Sequence, residues 1–259
     1  ITDATGNVNY YGDAASGHTT DGRKHARLKE FWKRPSRPCP ATEILSSAHF
    51  PEEFQGNFLN ANVISFQGIF RVGVTYEGSG PKGETLEHLV STDPKDNQHF
   101  RPICMSNGPD GALYFCDWTQ TIIGHLQHHI RDPHRDHQHG RIYRITYEGR
   151  DLATPPKISG EPINNLLDHL ASPVNGTRLL AKIELDTRPT ENVIAAAAER
   201  LKRPSLSEHE KMELLWLHQW HNVVNEALLD TVLASPTPEA RAAAGRVLCY
   251  WRKRVSNPL

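Results

Sequence analysis

The pattern of apolar and polar residues changes near residue 155. Before this point, short segments alternate between the two types and end at a glycine turn, as in Arg71–Gly78 and Ile142–Gly149, which is typical of strands with one buried face. After it, apolar residues recur three and four positions apart, which predicts amphipathic helices. The sequence therefore predicts a β-rich part followed by a helical part.

The boundary between the two parts is marked by Thr154-Pro155-Pro156. Neither proline can donate a backbone hydrogen bond or continue a regular element. We therefore expect a β-rich domain at residues 1–153, a linker at 154–161 and a helical domain at 162–259.

The β-rich part contains a weak internal repeat. Glycine turns at Gly6, Gly56 and Gly111 are each followed by a short strand and then an acidic or amide residue, at intervals of 50 and 55 residues. Repeats of ~40–50 residues built from several short strands are typical of β-propeller blades. We expect about two and a half blades here. The remaining blades would have to come from a missing N-terminal part or from another chain.

The helical part contains several helix start signals. We expect helices to begin at Thr190 and at Asn222, a capping box at Ser207 with Glu210, and a further start at Thr237-Pro238. Helix starts that recur every ~15 residues favour an α-solenoid of the HEAT or armadillo type. Isolated antiparallel helices would give the same local signals.

Composition excludes several classes of protein. The 259 residues are 37% hydrophobic and 23% charged with a net charge of −1, so no charge field attracts nucleic acid. No apolar run approaches the roughly 20 residues of a transmembrane helix. The four cysteines include no Cys-x-x-Cys-His motif, which excludes covalent c-type haem from this chain. Because the chain begins at Ile1 without a signal peptide, we expect a processed chain or an internal fragment.

Several motifs together resemble a known family. They are the turn Asn107–Gly111, the pair Asp117-Trp118, the histidine-rich run Ile123–Ile145 and the helical segment Leu215–Glu226. The chain resembles planctomycete-type β-propeller proteins that are similar to sorbosone and glucose dehydrogenases. These proteins carry HEAT-like repeats and often a C-terminal c-type cytochrome domain. The resemblance implies the C-terminal blades of a six-bladed β-propeller followed by a HEAT-like α-solenoid.

The resemblance also implies a function. It suggests part of a quinoprotein-like sugar or aldehyde dehydrogenase that passes electrons to a c-type haem partner or domain. PQQ and calcium would be its cofactors, a sugar or aldehyde its substrate, and the periplasm or the extracellular space its location. The alternative is a non-catalytic module that binds a glycan or a protein partner, because the same fold can host both functions.

Arg101 is the main candidate for cofactor binding. In the related dehydrogenases, an arginine just before the Gly-Pro-Asp-Gly turn reaches the central axis, where its fork would pair with cofactor carboxylates. His128 and Arg131, in the histidine-rich run, are the other candidates for this cofactor face. Alternatively, Arg101 stacks on Phe100 or pairs with an acidic neighbour.

Asp117 and His125 are the candidates for acid–base catalysis. In the alternative interpretation, Asp117 bonds the backbone of its own turn. Asp136, His137 and His139 are candidate metal ligands, because carboxylate and neutral imidazole suit a divalent metal ion. These three could instead brace a surface loop.

Three further histidines lie outside the histidine-rich run. His49 precedes Phe50-Pro51 and is expected in a surface loop. His218 and His221 are three residues apart and could meet on one face of a helix, either in packing between helices or as metal ligands.

Overall fold

The computed structural model describes residues 39–64, 66–77, 80–93, 95–121, 123 and 131–256. The chain divides into unit 1, Ile1–Ala153, and unit 2, Thr154–Leu259. The described strands lie in unit 1 and the α-helices in unit 2. The division falls at the start of the segment predicted to be a linker. The predicted repeat at Gly6 and the candidates His125 and His128 lie outside the described residues.

The first sheet of unit 1 has five antiparallel strands. It contains β1 (Thr42–Ile44), β2 (Phe58–Asn62), β3 (Gln67–Glu77), β4 (Gly80–Thr85) and β5 (Val90–Thr92). The strand order is β1-β2-β3-β4, and β5 also pairs with β3. A short 3-10 helix, Glu52–Phe54, lies between β1 and β2. Because β4 and β5 pair with successive parts of the long strand β3, this strand organises the sheet.

The second sheet has three antiparallel strands in sequence order, β6 (Pro102–Asn107), β7 (Leu113–Asp117) and β8 (Arg141–Ile145). The turn between β6 and β7 contains Gly111, which has φ +84°, as the Pro-Asp-Gly sequence predicts. A Cβ atom at this position would lie 2.6 Å from the Cβ of His49. Glycine is therefore required here both by the backbone conformation and by the close approach of the 47–49 segment.

The prediction of blades from a six-bladed propeller is wrong. The described part of unit 1 forms two small antiparallel sheets, of five and three strands, which do not close. The recurring glycines do mark turns next to strands, but their spacing contains no information about how the strands are arranged in space. The interval from Gly56 to Gly111, for example, contains the whole of β2 to β6.

Both sheets of unit 1 contribute to one apolar core. Its buried residues come from β2, β3 and β7 and from the segments that precede β2 and β6. They are Leu45, Phe50, Leu59, Ala61, Ile69, Phe100, Leu113 and Phe115. The face of each sheet that carries these side chains is therefore shielded from water, which is the main contribution to the stability of the unit.

His49 is buried beside this core with 1% of its surface exposed, so the expected surface location is wrong. Its Nε2 accepts a hydrogen bond from the backbone N–H of Tyr147 at 2.7 Å, and its Nδ1 lies 2.8 Å from the carbonyl oxygen of Asp151. Since Nε2 must be an acceptor, Nδ1 carries the proton and donates it to Asp151. The neutral ring thus joins the loop after β1 to the end of unit 1.

The described part of unit 2 contains six helices, α1 (Ile163–His169), α2 (Asn175–Asp186), α3 (Thr190–Leu201), α4 (Glu208–Trp220), α5 (Glu226–Leu233) and α6 (Pro238–Trp251). All six contribute buried residues to a single apolar core. The HEAT-like solenoid stays a prediction, since the described residues show six helices around this one core and nothing more specific. Among the described residues, no helix has the length and apolar character needed to cross a membrane.

The helix ends confirm some local signals and correct others. Ser207 and Glu210 form the predicted capping box, and Pro238 occupies the first position of α6. The predicted start at Asn222 is wrong by several residues, because α5 begins at Glu226 with Asn225 as its N-cap. Asn222 instead follows α4 with φ +56° and accepts hydrogen bonds from Arg254.

Replacing His49 with Ala is expected to destabilise unit 1 by about 2–4 kcal/mol, because two part-buried backbone groups lose their partner and the buried ring leaves a cavity. The free energy of unfolding in urea, followed by a probe in unit 1, measures this loss. The matched control is His137→Ala at an exposed position, expected to change stability by less than about 0.5 kcal/mol. Equal effects of the two substitutions would contradict the bridging role of His49.

Candidate functional site

A cavity of about 450 Å³ lies beside the start of β6 in unit 1. Its lining comes from the segment after β2, the start of β3, the segment before β6 and the loop after β7. The lining residues are Val63, Ile64, Gln67, Gln98, Arg101, Thr121 and Ile123. Arg101 is therefore a sequence candidate that the structure places at a cavity, and it is the charged residue among the described residues of the lining.

The guanidinium of Arg101 is held by three backbone carbonyl oxygens. Its Nε donates to Gln120 at 2.9 Å, its Nη1 to Val63 at 2.7 Å and its Nη2 to Thr121 at 3.2 Å. A guanidinium has five N–H donors, so these bonds leave one on each terminal nitrogen. Bidentate recognition of a carboxylate uses two N–H donors of one guanidinium.

Asp117, a candidate for catalysis, lies under this arrangement rather than in the cavity lining. Its side chain is completely buried. Oδ1 accepts hydrogen bonds from the backbone N–H groups of Arg101 at 2.7 Å and Thr119 at 2.9 Å, and Oδ2 accepts from Arg141 Nη1 at 3.2 Å. These bonds agree with the alternative interpretation of the sequence, in which Asp117 bonds the backbone of its own turn. Asp117 therefore positions the backbone around Arg101.

The loop 117–121 after β7 shows backbone strain. Thr119 has φ +56°, a conformation that β-branched residues rarely adopt and that costs on the order of 1–3 kcal/mol. Its N–H bond to Asp117 and the bond from the Gln120 side chain to the backbone oxygen of Asp136 hold the loop in place. The strained loop presents the carbonyl oxygens that orient Arg101.

The Asp117 carboxylate pairs with the side chain of Arg141 and bonds the backbone, but not the guanidinium, of Arg101. The partners that the described residues give the Arg101 guanidinium are neutral carbonyl oxygens. Burial lowers the pKa of Arg101, and the charge of Asp117 opposes this effect. Arginine nevertheless remains protonated in proteins. The Arg101 guanidinium therefore places a positive charge in the cavity lining, which favours an anionic ligand.

The histidine-rich segment forms two successive surface turns. In the first, Asp132 Oδ1 accepts hydrogen bonds from the backbone N–H of His134 and lies 2.9 Å from its Nδ1. In the second, Asp136 accepts from the backbone N–H groups of Gln138 and His139, and its Oδ2 lies 3.0 Å from Nδ1 of His139. The hydrogen bonds to these backbone groups and to His139 lower the pKa of Asp136 against the opposing effect of desolvation.

The candidate metal ligands are not gathered into a metal site. Asp136 and His139 are in contact, whereas His137 is exposed. Within the described ranges, three side chains of the His, Cys, Asp and Glu types nowhere come together to hold a metal ion. Arg131 is exposed at a turn and does not line the cavity.

The donor set does not fit the cofactors implied by the resemblance. Calcium takes six to eight oxygen ligands, with carboxylates prominent among them, and the described residues that line the cavity include no carboxylate. PQQ carries several carboxylates, whereas Arg101 supplies the only positive charge in the same lining. A ligand with a single carboxylate matches these residues better.

Sequence reasoning missed the polar lining residues Gln67, Gln98 and Thr121. Gln67 is buried and its Nε2 donates to the carbonyl oxygens of Gln98 at 3.1 Å and Phe100 at 2.9 Å. Thr121 Oγ1 lies 2.9 Å from Nδ1 of the exposed His99. No local motif marks these positions, because contacts between distant segments, such as the bonds from the Gln67 side chain to the segment before β6, bring them together.

The two candidate histidines of unit 2, His218 and His221, lie at the end of α4. His218 is 2% exposed, and its Nε2 lies 3.3 Å from Nδ2 of Asn225. Because Oδ1 of Asn225 accepts the cap hydrogen bond from Leu228, Nδ2 donates to His218. His221 Nδ1 lies 3.3 Å from Thr190 Oγ1. Burial lowers the pKa of both histidines, which favours the neutral form and agrees with a role in packing between helices.

Comparison with known proteins gives one family. Residues 23–149 match a family described as a domain of unknown function (DUF7133). The match covers just under half of the chain and lies within unit 1. No curated protein and no solved structure shows a significant match.

Replacing Asp117 with Asn is expected to destabilise unit 1 by about 2–3 kcal/mol, since the amide cannot accept from Arg141 and two cations lose their shared counter-charge. Urea denaturation measures the effect. Asp96→Asn, at an exposed position, is the matched control with an expected change of less than about 0.5 kcal/mol. A neutral effect of Asp117→Asn would show that this carboxylate does not hold the site.

The stability of unit 2 is expected to fall as the pH falls. The pKa of His218 is lowered in the folded state, so below about pH 6.5 the unfolded chain binds the proton more readily. The contribution of His218 is therefore complete above that pH and is lost progressively below it. His218→Gln cannot take up the proton, and denaturation between pH 8 and pH 5 should show a shallower decline. The control His137→Gln should leave the decline unchanged, and equal slopes for all three proteins would contradict the assignment.

Proposed function

We propose that unit 1 is a ligand-binding unit whose cavity takes a small hydroxy acid through its carboxylate. The observation that supports this proposal is the Arg101 guanidinium. Three carbonyl oxygens orient it, and one N–H on each terminal nitrogen has no partner among the described residues. The alternative drawn from the sequence was a module that binds a glycan or a protein partner, and the present proposal replaces these ligands with a small acid.

The other residues of the lining are suited to a ligand that carries hydroxyl groups. Gln67, Gln98 and Thr121 offer amide and hydroxyl groups, and Val63, Ile64 and Ile123 offer apolar contacts. Such a mixture of a few polar groups with apolar walls is typical of small-molecule sites. The volume of about 450 Å³ suits a molecule of the size of a sugar acid.

The dehydrogenase function implied by the resemblance stays a prediction. Asp117, its candidate acid or base, is enclosed by hydrogen bonds, and His125 lies outside the described residues. The contacts of Arg101 support the binding and orientation of a carboxylate. They do not identify a residue that transfers a proton.

The test compares gluconate with sorbitol, which differ at one end in having a carboxylate or a CH₂OH group. We expect calorimetric titration of the full chain to show at least tenfold tighter binding of gluconate. Loss of two charge-assisted hydrogen bonds accounts for a difference of this order. Arg101→Gln should remove the preference.

Two further variants separate loss of the ligand site from loss of the fold. Ile64→Trp places a large side chain at a partly exposed position of the lining, and it should weaken gluconate binding while the protein remains folded. Arg144→Gln removes a different arginine of unit 1, which does not line the cavity, and should retain the preference. Equal affinity of the unmodified chain for both polyols would overturn the proposal.

A further inference from the structure

Two cysteines occupy directly opposite positions on neighbouring strands. Cys104 of β6 pairs with Cys116 of β7 in the antiparallel register. Residues paired in this way have Cα atoms about 4.5–5.5 Å apart and side chains on the same face of the sheet. A disulfide requires Cα atoms about 4.4–6.8 Å apart and Cβ atoms about 3.5–4.5 Å apart. The pair therefore meets the backbone requirement and needs only a small approach of the side chains.

The face that carries these thiols points away from the apolar core. The next pair in the register, Met105 with Phe115, packs in the core, so the adjacent pair points to the opposite face. Cys104 is exposed and Cys116 is half-buried. On the far side of β7, Ile142 pairs with Cys116 and is 77% exposed. A reagent in solution can therefore reach this face of the sheet.

We propose that Cys104 and Cys116 form a redox-active dithiol that low-molecular-weight disulfides oxidise to an intrachain disulfide. The thiolate of Cys104 attacks glutathione disulfide, which gives a mixed disulfide and releases one glutathione. The thiolate of Cys116 then displaces the second glutathione and closes the S–S bond. Two electrons and two protons leave the cysteine pair and appear in two molecules of glutathione. Dithiol reductants reverse the reaction.

The bond would join the two strands at the end of the hairpin that carries the ligand cavity. Cys104 lies three residues after Arg101, and Cys116 directly precedes Asp117. A cross-link at this position restricts separation of β6 from β7 in the unfolded chain and so stabilises the folded hairpin. The proposal itself rests on the strand register and does not require that the cavity binds a hydroxy acid.

The experiment uses the full chain with Cys39→Ser and Cys249→Ser, so that Cys104 and Cys116 are the only thiols. After treatment with glutathione disulfide, we expect the mass to decrease by that of two hydrogen atoms and both thiols to become unreactive. Cyanogen bromide cleaves after Met105, between the two cysteines. Fragments 1–105 and 106–212 should then stay joined until a reductant is added.

Two variants in the same background provide the controls. Cys104→Ser and Cys116→Ser should each gain the mass of one glutathione, and neither should hold the fragments together. Met105 and Met212 are the only methionines, so cleavage gives an unambiguous pattern. If the two-cysteine protein instead retains one or two bound glutathione molecules, or keeps both thiols free, the proposal is overturned.

Discussion

The buried carboxylate of Asp117 is the contact on which the candidate site depends. It joins the backbone at the start of β6, the loop that follows β7 and the side chain of Arg141 at the start of β8. A buried carboxylate with these partners is stable only while all of them are present, because an unpaired buried charge is costly. The strained conformation of Thr119 and the orientation of Arg101 both follow from this contact.

Local signals in the sequence predicted local structure well. The capping box of Ser207 with Glu210, the proline at the start of α6 and the positive φ of Gly111 all depend on a few neighbouring residues. The arrangement of the strands depends on pairing between distant residues, and the glycine spacing contained no information about it. Asn222 was misread because an asparagine is favourable both after a helix and before one.

The candidate site, too, depends on contacts between distant residues that local sequence signals do not predict. A high density of histidines drew attention to residues 125–139, yet the turns at Asp132 and Asp136 use their carboxylates to bond nearby backbone groups. Arg101 was found through the resemblance of the motif around it. Gln67 and Thr121, 54 positions apart, line the same cavity only because the chain has folded. Such residues carry no signal in a single sequence.

The two hydrogen bonds of His49 also have a consequence for biosynthesis. Its partners Tyr147 and Asp151 follow it by 98 and 102 residues, so both bonds must wait until the ribosome has completed almost the whole of unit 1. Contacts over such sequence separations slow folding, because a long loop must close before they form. Until then, the part of unit 1 that has already been synthesised exposes apolar side chains. The nascent chain is therefore expected to need protection from aggregation until Asp151 has emerged.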